Sequence, residues 1–147
     1  MDYKLLCAQV KGLAEAERWY VPLLANASAL IYDNLEDLNW AGFYLLREGR
    51  LVLGPFQGKL ACIHIPVGKG VCGTAVAEDR TQLVPDVHAF PGHIACDSAS
   101  RSEIVVPLHK DGKVVAVLDI DSPLLHRFTE EDREGLEAFA RILEKAL

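Results

Sequence analysis

The chain has no hydrophobic run long enough to cross a membrane. Its longest uncharged stretch, WYVPLLANASALIY, is 14 residues long and contains proline, asparagine and serine, whereas a transmembrane helix needs about 20 apolar residues. The N-terminal segment MDYKLLCAQVKG carries charges where a secretory signal has its apolar core. We therefore expect a cytoplasmic protein that has no membrane partner.

Clustered positive charge is missing as well. The 15 lysines and arginines are scattered, and 21 acidic residues bring the formal net charge to -6. Nucleic acids are bound by a stripe of Lys and Arg, so we expect no nucleic-acid partner. The sequence also lacks repeats, low-complexity tracts and linkers, and its 147 residues fit one domain. We expect a single domain over residues 1–147.

Hydrophobic periodicity predicts an α+β fold. The spacing favours helices at both ends of the chain and, between them, strands joined by short turns, with Asp111-Gly112 as the strongest hairpin signal. Terminal helices around an antiparallel meander are expected to cover one face of the sheet and leave the other to a long loop. The pattern predicts helices over 3–16, 19–37, 70–79 and from Thr129 onward, strands over 40–46, 51–56, 61–67, 102–110 and 113–122, and a loop over 85–100.

Three acidic residues are predicted to meet at one edge of the sheet. Asp119 and Asp121 alternate with Leu118 and Ile120 and so share a face, while Glu103 opens the neighbouring strand across the Asp-Gly hairpin. No lysine or arginine pairs with them in the pattern, which suits a ligand that brings its own ammonium group. The alternative is that they are ordinary strand-end charges in water.

Two aromatic residues share a face of the first predicted strand. Trp40 and Tyr44 lie on either side of Gly42, and the glycine is expected to leave a slot beside the backbone. Both side chains are large and carry a polar edge, as ligand-binding walls often do. They are equally typical of ordinary core aromatics.

Four cysteines in a cytoplasmic protein are more typical of thiol chemistry than of a structural disulfide frame. Cys96 lies in a polar loop segment, HIACDSAS, where His93 and Arg101 could stabilise a thiolate. Cys72 falls in the first turn of a predicted helix, where backbone N–H groups also favour a thiolate. Cys7 is best explained as a small packing residue, and Cys62, which alternates with Ile63, could also lie in the core.

A metal site and a redox pair are the two ways to group these residues. A first thiolate oxidised to sulfenic acid can condense with a nearby second thiol to form a disulfide. Zinc favours cysteine and histidine, but the spacing here fits no CxxC…CxxC or HExxH pattern, and we expect no metal site. The candidate zinc ligands would be Cys62, His64, His88, His93 and Cys96.

The stretches WAGFYLL, GPFQGKLACIHIPVGKGVCGTA, VPDVHAFPGHIACDSASRSEIVVPL and VLDIDSP together resemble free methionine-(R)-sulfoxide reductase, a family built on a lone GAF domain. The resemblance runs from about residue 19 to 143. It implies a six-stranded antiparallel sheet with N- and C-terminal helices on one face and the active site on the other. It also implies reduction of the free amino acid's R sulfoxide, electrons from thioredoxin or another dithiol with no cofactor, and a homodimer.

Matching motifs imply a role for each candidate residue. Cys96 is expected to attack the sulfoxide sulfur and become a sulfenic acid, and Cys62 to resolve it as a disulfide, with Cys72 as the alternative resolving thiol. Glu103, Asp119 and Asp121 match the substrate-binding acids, and Trp40 and Tyr44 match the wall for the sulfoxide methyl group. A GAF module that senses a small ligand without chemistry is the competing interpretation.

Overall fold

The structure is a computed structural model that describes residues 1–94 and 96–147; Ala95, within the predicted loop 85–100, lies outside them. None of the helices in these ranges has the length and apolar character of a membrane span. The helices are α1 (Tyr3–Ala16), α2 (Tyr20–Asn34), α3 (Gly70–Glu78) and α4 (Glu130–Glu144). The strands are β1 (Trp40–Arg47), β2 (Arg50–Gly58), β3 (His64–Pro66), β4 (Gln82–Val84), β5 (Ser102–Lys110) and β6 (Lys113–Ser122).

The strands of the described residues form one six-stranded antiparallel sheet in the order β3-β2-β1-β6-β5-β4. The predicted hairpins are confirmed at both tight turns. Glu48 and Gly49 have φ values of 53° and 79°, and Asp111 and Gly112 have 54° and 77°. Two consecutive positive φ values match the right-handed twist of the flanking strands. In the strand order given above, the long strands β1 and β6 lie at the centre of the sheet.

The terminal helices pack on one face of this sheet, as predicted. Alternate strand residues point toward them, and α4 begins with the capping box that the T-E-E-D motif predicts, closed between Thr129 and Asp132. The core between the two layers is apolar and fully enclosed, which is the main stabilising term for a domain of this size. Its largest enclosed side chains are Leu6, Leu23, Leu24, Ile31, Phe43, Ile104, Leu108, Leu118, Ile120 and Phe139.

Two predicted boundaries are wrong. The strand predicted over 61–67 pairs with β2 only at His64–Pro66, because the preceding backbone is bound by Tyr44, whose hydroxyl donates to the Cys62 carbonyl at 2.8 Å. The helix predicted over 19–37 ends at Asn34, since Leu35 is extended and Asp37 has a φ of 60°. The predicted loop contains a short 3₁₀ turn at Val87–Ala89.

The slot predicted beside Gly42 is filled by the neighbouring strand. A Cβ atom at Gly42 would lie 2.8 Å from the Phe56 Cα and 2.9 Å from the Pro55 carbonyl oxygen. Phe56 also stacks on Trp40, with ring centroids 5.1 Å apart. The glycine therefore allows β2 to approach β1 closely, and the space it leaves is not open to a ligand.

We predict opposite stability changes for two Gly→Ala substitutions. Gly42→Ala forces backbone atoms of β1 and β2 apart and should destabilise the fold by about 1–3 kcal/mol. Gly12 lies in α1, and no atom is within 4 Å of where its Cβ would lie. Gly12→Ala should therefore stabilise the fold by up to about 1 kcal/mol. Thermal unfolding measures both, and an unchanged Tm for Gly42→Ala contradicts the close approach.

Candidate active site

Strand register brings the three predicted acids together on the face opposite the terminal helices. Glu103 on β5 pairs directly with Asp121 on β6, and Asp119 lies two residues before Asp121 on the same side. On the other flank of β6, Asp121 pairs with Trp40 and Asp119 with Gly42. The alternation of these strands thus places three carboxyl groups and one aromatic ring around a single point.

Two of the acids are buried and Asp121 is partly buried, which rules out ordinary strand-end charges in water. Glu103 is 7% and Asp119 is 5% exposed, and the Oδ1 atoms of Asp119 and Asp121 are enclosed without a hydrogen-bond partner in the described residues. The ion pairs of residues 1–94 and 96–147 include none of the three. An unpaired buried carboxylate is costly. The cluster is therefore suited to a cationic guest.

Burial raises the pKa values of all three carboxyl groups, and repulsion between the acids adds to the effect at Glu103 and Asp121. For Glu103 the pKa is well above its usual value because of burial, followed by the charges of Asp119 and Asp121. For Asp121 the causes are burial and then the charge of Asp119. Burial also raises the pKa of Asp119, against hydrogen-bonding partners that favour its charged form. Crowded acids of this type retain at least one proton at a pH where isolated acids are ionised.

A disulfide joins Cys62 to Cys96 beside this cluster, with their Cα atoms 5.4 Å apart, within the range of ordinary disulfides. Cys62 lies just before β3, and Cys96 lies in the segment that follows the 3₁₀ turn. Cys96 and the three acids line the same cavity, whose volume is about 40 Å³. The structure thus brings together the two thiols and the three acids that the sequence singled out.

Trp40 and Tyr44 form a wall of the cavity. Both are 2% exposed, their rings stack with centroids 5.9 Å apart, and burial followed by the charge of Asp119 raises the pKa of the Tyr44 phenol, which stays neutral. A water molecule needs about 10–15 Å³ of such space, so roughly three waters fit. In the disulfide form, the cavity is too small for a guest of amino-acid size.

The expectation that a helix N-terminus favours a Cys72 thiolate is wrong. Cys72 lies in the first turn of α3 but is 4% exposed. Burial, followed by the charges of Asp119 and Glu103, raises the pKa of its thiol well above the usual value. Desolvation and three negative neighbours outweigh the partial charge of a helix end. Cys72 is therefore a protonated thiol and is not joined to Cys96.

The groups expected to stabilise a Cys96 thiolate supply no cation in the disulfide form. His93 lines the cavity, but burial and then the nearby His88 lower the pKa of its imidazole, which is neutral at neutral pH. The Arg101 backbone N–H donates to the Ser122 carbonyl at 2.8 Å, while the residue is exposed to solvent. Neither His93 nor Arg101 therefore brings a positive charge to the acid cluster.

The N-terminus of α3 is a part of the site that the sequence analysis missed. Gly70 and Val71 line the cavity, and the helix begins after Lys69 without any side-chain cap. Uncapped N–H groups at the start of a helix are suited to an anion such as a carboxylate. The GKG segment before VCGT was the available signal, because it opens a helix without a Ser, Thr, Asp or Asn cap.

The zinc ligand set considered from the sequence is not assembled, since Cys62 and Cys96 are bonded to each other. Across residues 1–94 and 96–147, the grouping with spacing suited to a metal is Cys72, Glu103 and Asp119, whose ligand atoms lie within 4.8 Å of one another. All three are buried around the cavity. They could hold a small cation, and two of them belong to the acid cluster.

Comparison with known proteins identifies close relatives over nearly the whole chain. Residues 5–147 match the GAF domain family. The chain is 55% identical over 145 residues to free methionine-R-sulfoxide reductase of Escherichia coli, covering 99% of this chain and 88% of that protein. The structure of fRMsr of Staphylococcus aureus in its reduced form has a TM-score of 0.97 and 58% identity, covering 100% and 96%. Free methionine-R-sulfoxide reductase of Neisseria meningitidis in complex with its substrate has a TM-score of 0.95 and 47% identity, covering 98% and 87%.

We predict that alkylation will distinguish the two free thiols of the disulfide form. Cys7 is partly buried and Cys72 is enclosed. Iodoacetamide at neutral pH should therefore label Cys72 at least about 100-fold more slowly than Cys7, because only an accessible thiolate reacts. Peptide mass spectrometry gives the two rates. Labelling in denaturant, where both cysteines should react alike, is the control. Equal rates in the folded protein would contradict the buried, protonated state of Cys72.

Proposed function

This chain belongs to the free methionine-R-sulfoxide reductases of the GAF domain family, and from that premise we propose how its site reduces free L-methionine-(R)-sulfoxide to L-methionine. One observation carries the proposal: the Cys62–Cys96 disulfide lies at a cavity lined by three acids that form no ion pair with side chains of residues 1–94 and 96–147. A thiol pair supplies the two electrons, and the acids supply protons and a binding site for an ammonium group. The preference for the R sulfoxide comes from the named relatives.

Substrate binding uses both charged groups of a free amino acid. The ammonium pairs with Glu103, Asp119 and Asp121, and the carboxylate accepts hydrogen bonds from the uncapped start of α3. The sulfoxide methyl group lies against Trp40 and Tyr44. A methionine within a peptide has neither charge, so it would leave buried acids unpaired. Sites with buried polar groups reject ligands that fail to satisfy them.

The reductive step begins at Cys96. Its thiolate attacks the sulfoxide sulfur while a carboxyl group donates a proton to the sulfoxide oxygen. Methionine leaves and the oxygen ends on Cys96 as a sulfenic acid. The raised pKa values of the acid cluster support this role, because they keep a proton available near neutral pH. General acid catalysis of this type contributes about 10²–10⁴ in rate.

The oxidised enzyme is then resolved by Cys62. Its thiol attacks the sulfenic sulfur of Cys96, water leaves, and the disulfide of the present structure forms. Thioredoxin or another dithiol reduces this bond, so no resident cofactor is needed. The buried, protonated thiol of Cys72 supports Cys62 over Cys72 as the resolving residue, because a thiol reacts as its thiolate.

Access to the acids requires the disulfide to open. The cavity of about 40 Å³ must expand before substrate enters, and Cys96 must move from Cys62 to a position over the sulfoxide. Gly92 has a φ of +74° with no atom within 4 Å of where a Cβ would lie, a conformation that glycine adopts without strain. We assign the hinge of the Cys96 segment to Gly92.

The cellular context belongs to the same proposal. A cytoplasmic location supplies dithiol reductants such as thioredoxin, and a homodimer follows from the family resemblance. The reductase is favoured over a GAF module that only senses a ligand, because two relatives that this chain matches over 88% and 83% of their length carry a reductase name. The sequence expectation of no nucleic-acid or membrane partner is retained.

The cysteine assignment is tested by two serine variants. Cys96→Ser should abolish reduction of free methionine-(R)-sulfoxide because it removes the attacking sulfur. Cys62→Ser should form about one methionine per protein and then stall at the sulfenic acid. Quench-flow assays of the pre-reduced proteins measure both, and a dimedone adduct on Cys96 identifies the stalled state. Repeated turnover by Cys96→Ser would reject the assignment.

Removing one buried charge should stabilise the fold and weaken substrate binding. The raised pKa of Asp121 means that its contribution to stability is complete below about pH 4, the usual carboxyl pKa, and is lost as pH rises through the folded-state value. Asp121→Asn should therefore raise the Tm at pH 7 by a few degrees, with the gain vanishing below about pH 4.

Activity should change in the opposite direction. We expect the KM for free methionine-(R)-sulfoxide to rise at least about tenfold in Asp121→Asn, since a charge-assisted hydrogen bond is worth about 1.5–3 kcal/mol. Glu134→Gln, at an exposed acid on α4, is the matched control and should change neither quantity. A variant with unchanged KM, or with a lower Tm at pH 7, would count against the buried acid cluster.

A further inference from the structure

The two cysteines of the disulfide are held very differently. Cys62 lies on a segment, residues 59–63, that is bonded to the sheet along its length. The Tyr44 hydroxyl donates to the Cys62 carbonyl at 2.8 Å, and the Leu53 N–H donates to the Ile63 carbonyl at 2.9 Å. The Trp40 Nε1–H donates to the Lys59 carbonyl at 3.2 Å. Cys62 is therefore fixed to β1 and β2.

Cys96 is tied mainly to its own segment. Its N–H donates to the Ile94 carbonyl at 3.1 Å, and the next turn closes between Asp97 and Ser100. The Asn39 amide also donates to Asp97 and Ser100 at 3.0 Å, and Ile94 packs against the apolar cluster on the site face of the sheet. Cys96 itself has no described backbone hydrogen bond to a strand, whereas the backbone of Cys62 is bonded to β1.

The surface beside Cys62 differs from the surface beside Cys96. Large apolar side chains are exposed along the first: Leu60 is 90%, Ile63 is 63% and Val67 is 40% exposed. We call these three residues the apolar patch. On the other side, Cys96 is followed by Asp97 and Ser98. Exposed apolar side chains grouped beside a reactive bond are typical of a protein contact.

Charge around the apolar patch is also distinctive. The segment 59–69, KLACIHIPVGK, has a lysine at each end and no acidic residue, in a chain with 21 acids and a net charge of -6. Lys59 and Lys69 are exposed, and neither forms an ion pair within residues 1–94 and 96–147. The patch with its two lysines complements a partner that is apolar at its centre and acidic at its rim.

We infer that a protein dithiol docks on the apolar patch and attacks the sulfur of Cys62, with Cys96 as the leaving thiolate. This inference rests on the proposed function, which requires the disulfide to be reduced. The partner's thiolate forms a bond to the Cys62 sulfur, and the Cys62–Cys96 bond breaks with its electron pair on Cys96. The partner's second thiol then attacks the mixed disulfide, releasing Cys62 and leaving the partner oxidised by two electrons.

This direction of attack returns the enzyme directly to its working state. Cys96 is released as the thiolate that attacks the next sulfoxide. Attack on Cys96 would instead attach the partner to the sulfur that lines the cavity with the acids. Cys62 is not one of the residues that line the cavity, so a partner bonded to Cys62 leaves Cys96 available beside the acids.

A surface substitution tests the docking site. Ile63→Asp places a charge at the centre of the apolar patch and should raise the KM for thioredoxin about tenfold, the effect of losing a central interface residue. Turnover supported by dithiothreitol and single turnover of the pre-reduced protein should be unchanged. Leu125→Asp, at an apolar residue that is 46% exposed, is the matched control and should leave all three rates unchanged. An equal KM for thioredoxin in both variants would overturn the docking site.

A trapping experiment tests which sulfur is attacked. A thioredoxin variant in which the second active-site cysteine is replaced by serine is mixed with the oxidised protein. The reaction is then quenched with iodoacetamide. Peptide mapping should find thioredoxin on Cys62 and the alkyl group on Cys96. The reverse pattern would overturn the inference. If the pre-reduced wild-type protein formed no methionine in a single turnover, that result would instead contradict the proposed function. Failure of the inference and failure of the proposed function are therefore distinguishable.

Discussion

Three carboxyl groups that line one cavity and form no ion pair in the described residues are the constraint on which the rest of this structure depends. Strand register forces Glu103 against Asp121, and alternation along β6 adds Asp119. Such a cluster opposes folding at neutral pH. The apolar layer between the sheet and the terminal helices offsets it, since every one of its central strand residues is enclosed. The alternation that aims the acids at one face aims Leu118 and Ile120 at the other, so the source of stability and the site that opposes it share one strand.

The same constraint governs the sulfur chemistry. The acids depress ionisation of any thiol they surround, and Cys72, which lies among them, is held as a neutral thiol. The nucleophile that we propose, Cys96, lines the same cavity but is not one of the residues held in the acid cluster. The backbone of Cys62 is hydrogen-bonded to β1, whereas the N–H of Cys96 is bonded within its own segment. Electrostatics and hydrogen bonding thus both distinguish the three cysteines.

Much of the fold and the acid cluster was predictable from the sequence, because both follow from local rules. Alternation in VLDIDS and the Asp-Gly turn are enough to bring Asp119, Asp121 and Glu103 to one place. The state of Cys72 was not predictable, since it depends on how deeply α3 is buried against residues distant in sequence. Gly42 was misjudged because the atoms that fill its slot belong to β2. The strand boundary before His64 was also wrong, because a side chain from β1 takes the carbonyl that a longer strand would have paired.

The narrow cavity of the disulfide form has a consequence for the kinetics of the proposed reaction. With about 40 Å³ of space, the oxidised protein has no room for methionine sulfoxide. Under the proposed mechanism the substrate therefore binds only after the disulfide is reduced, and turnover alternates between two forms, which is ping-pong behaviour. An excess of methionine sulfoxide would then not compete with the reductant for the oxidised protein.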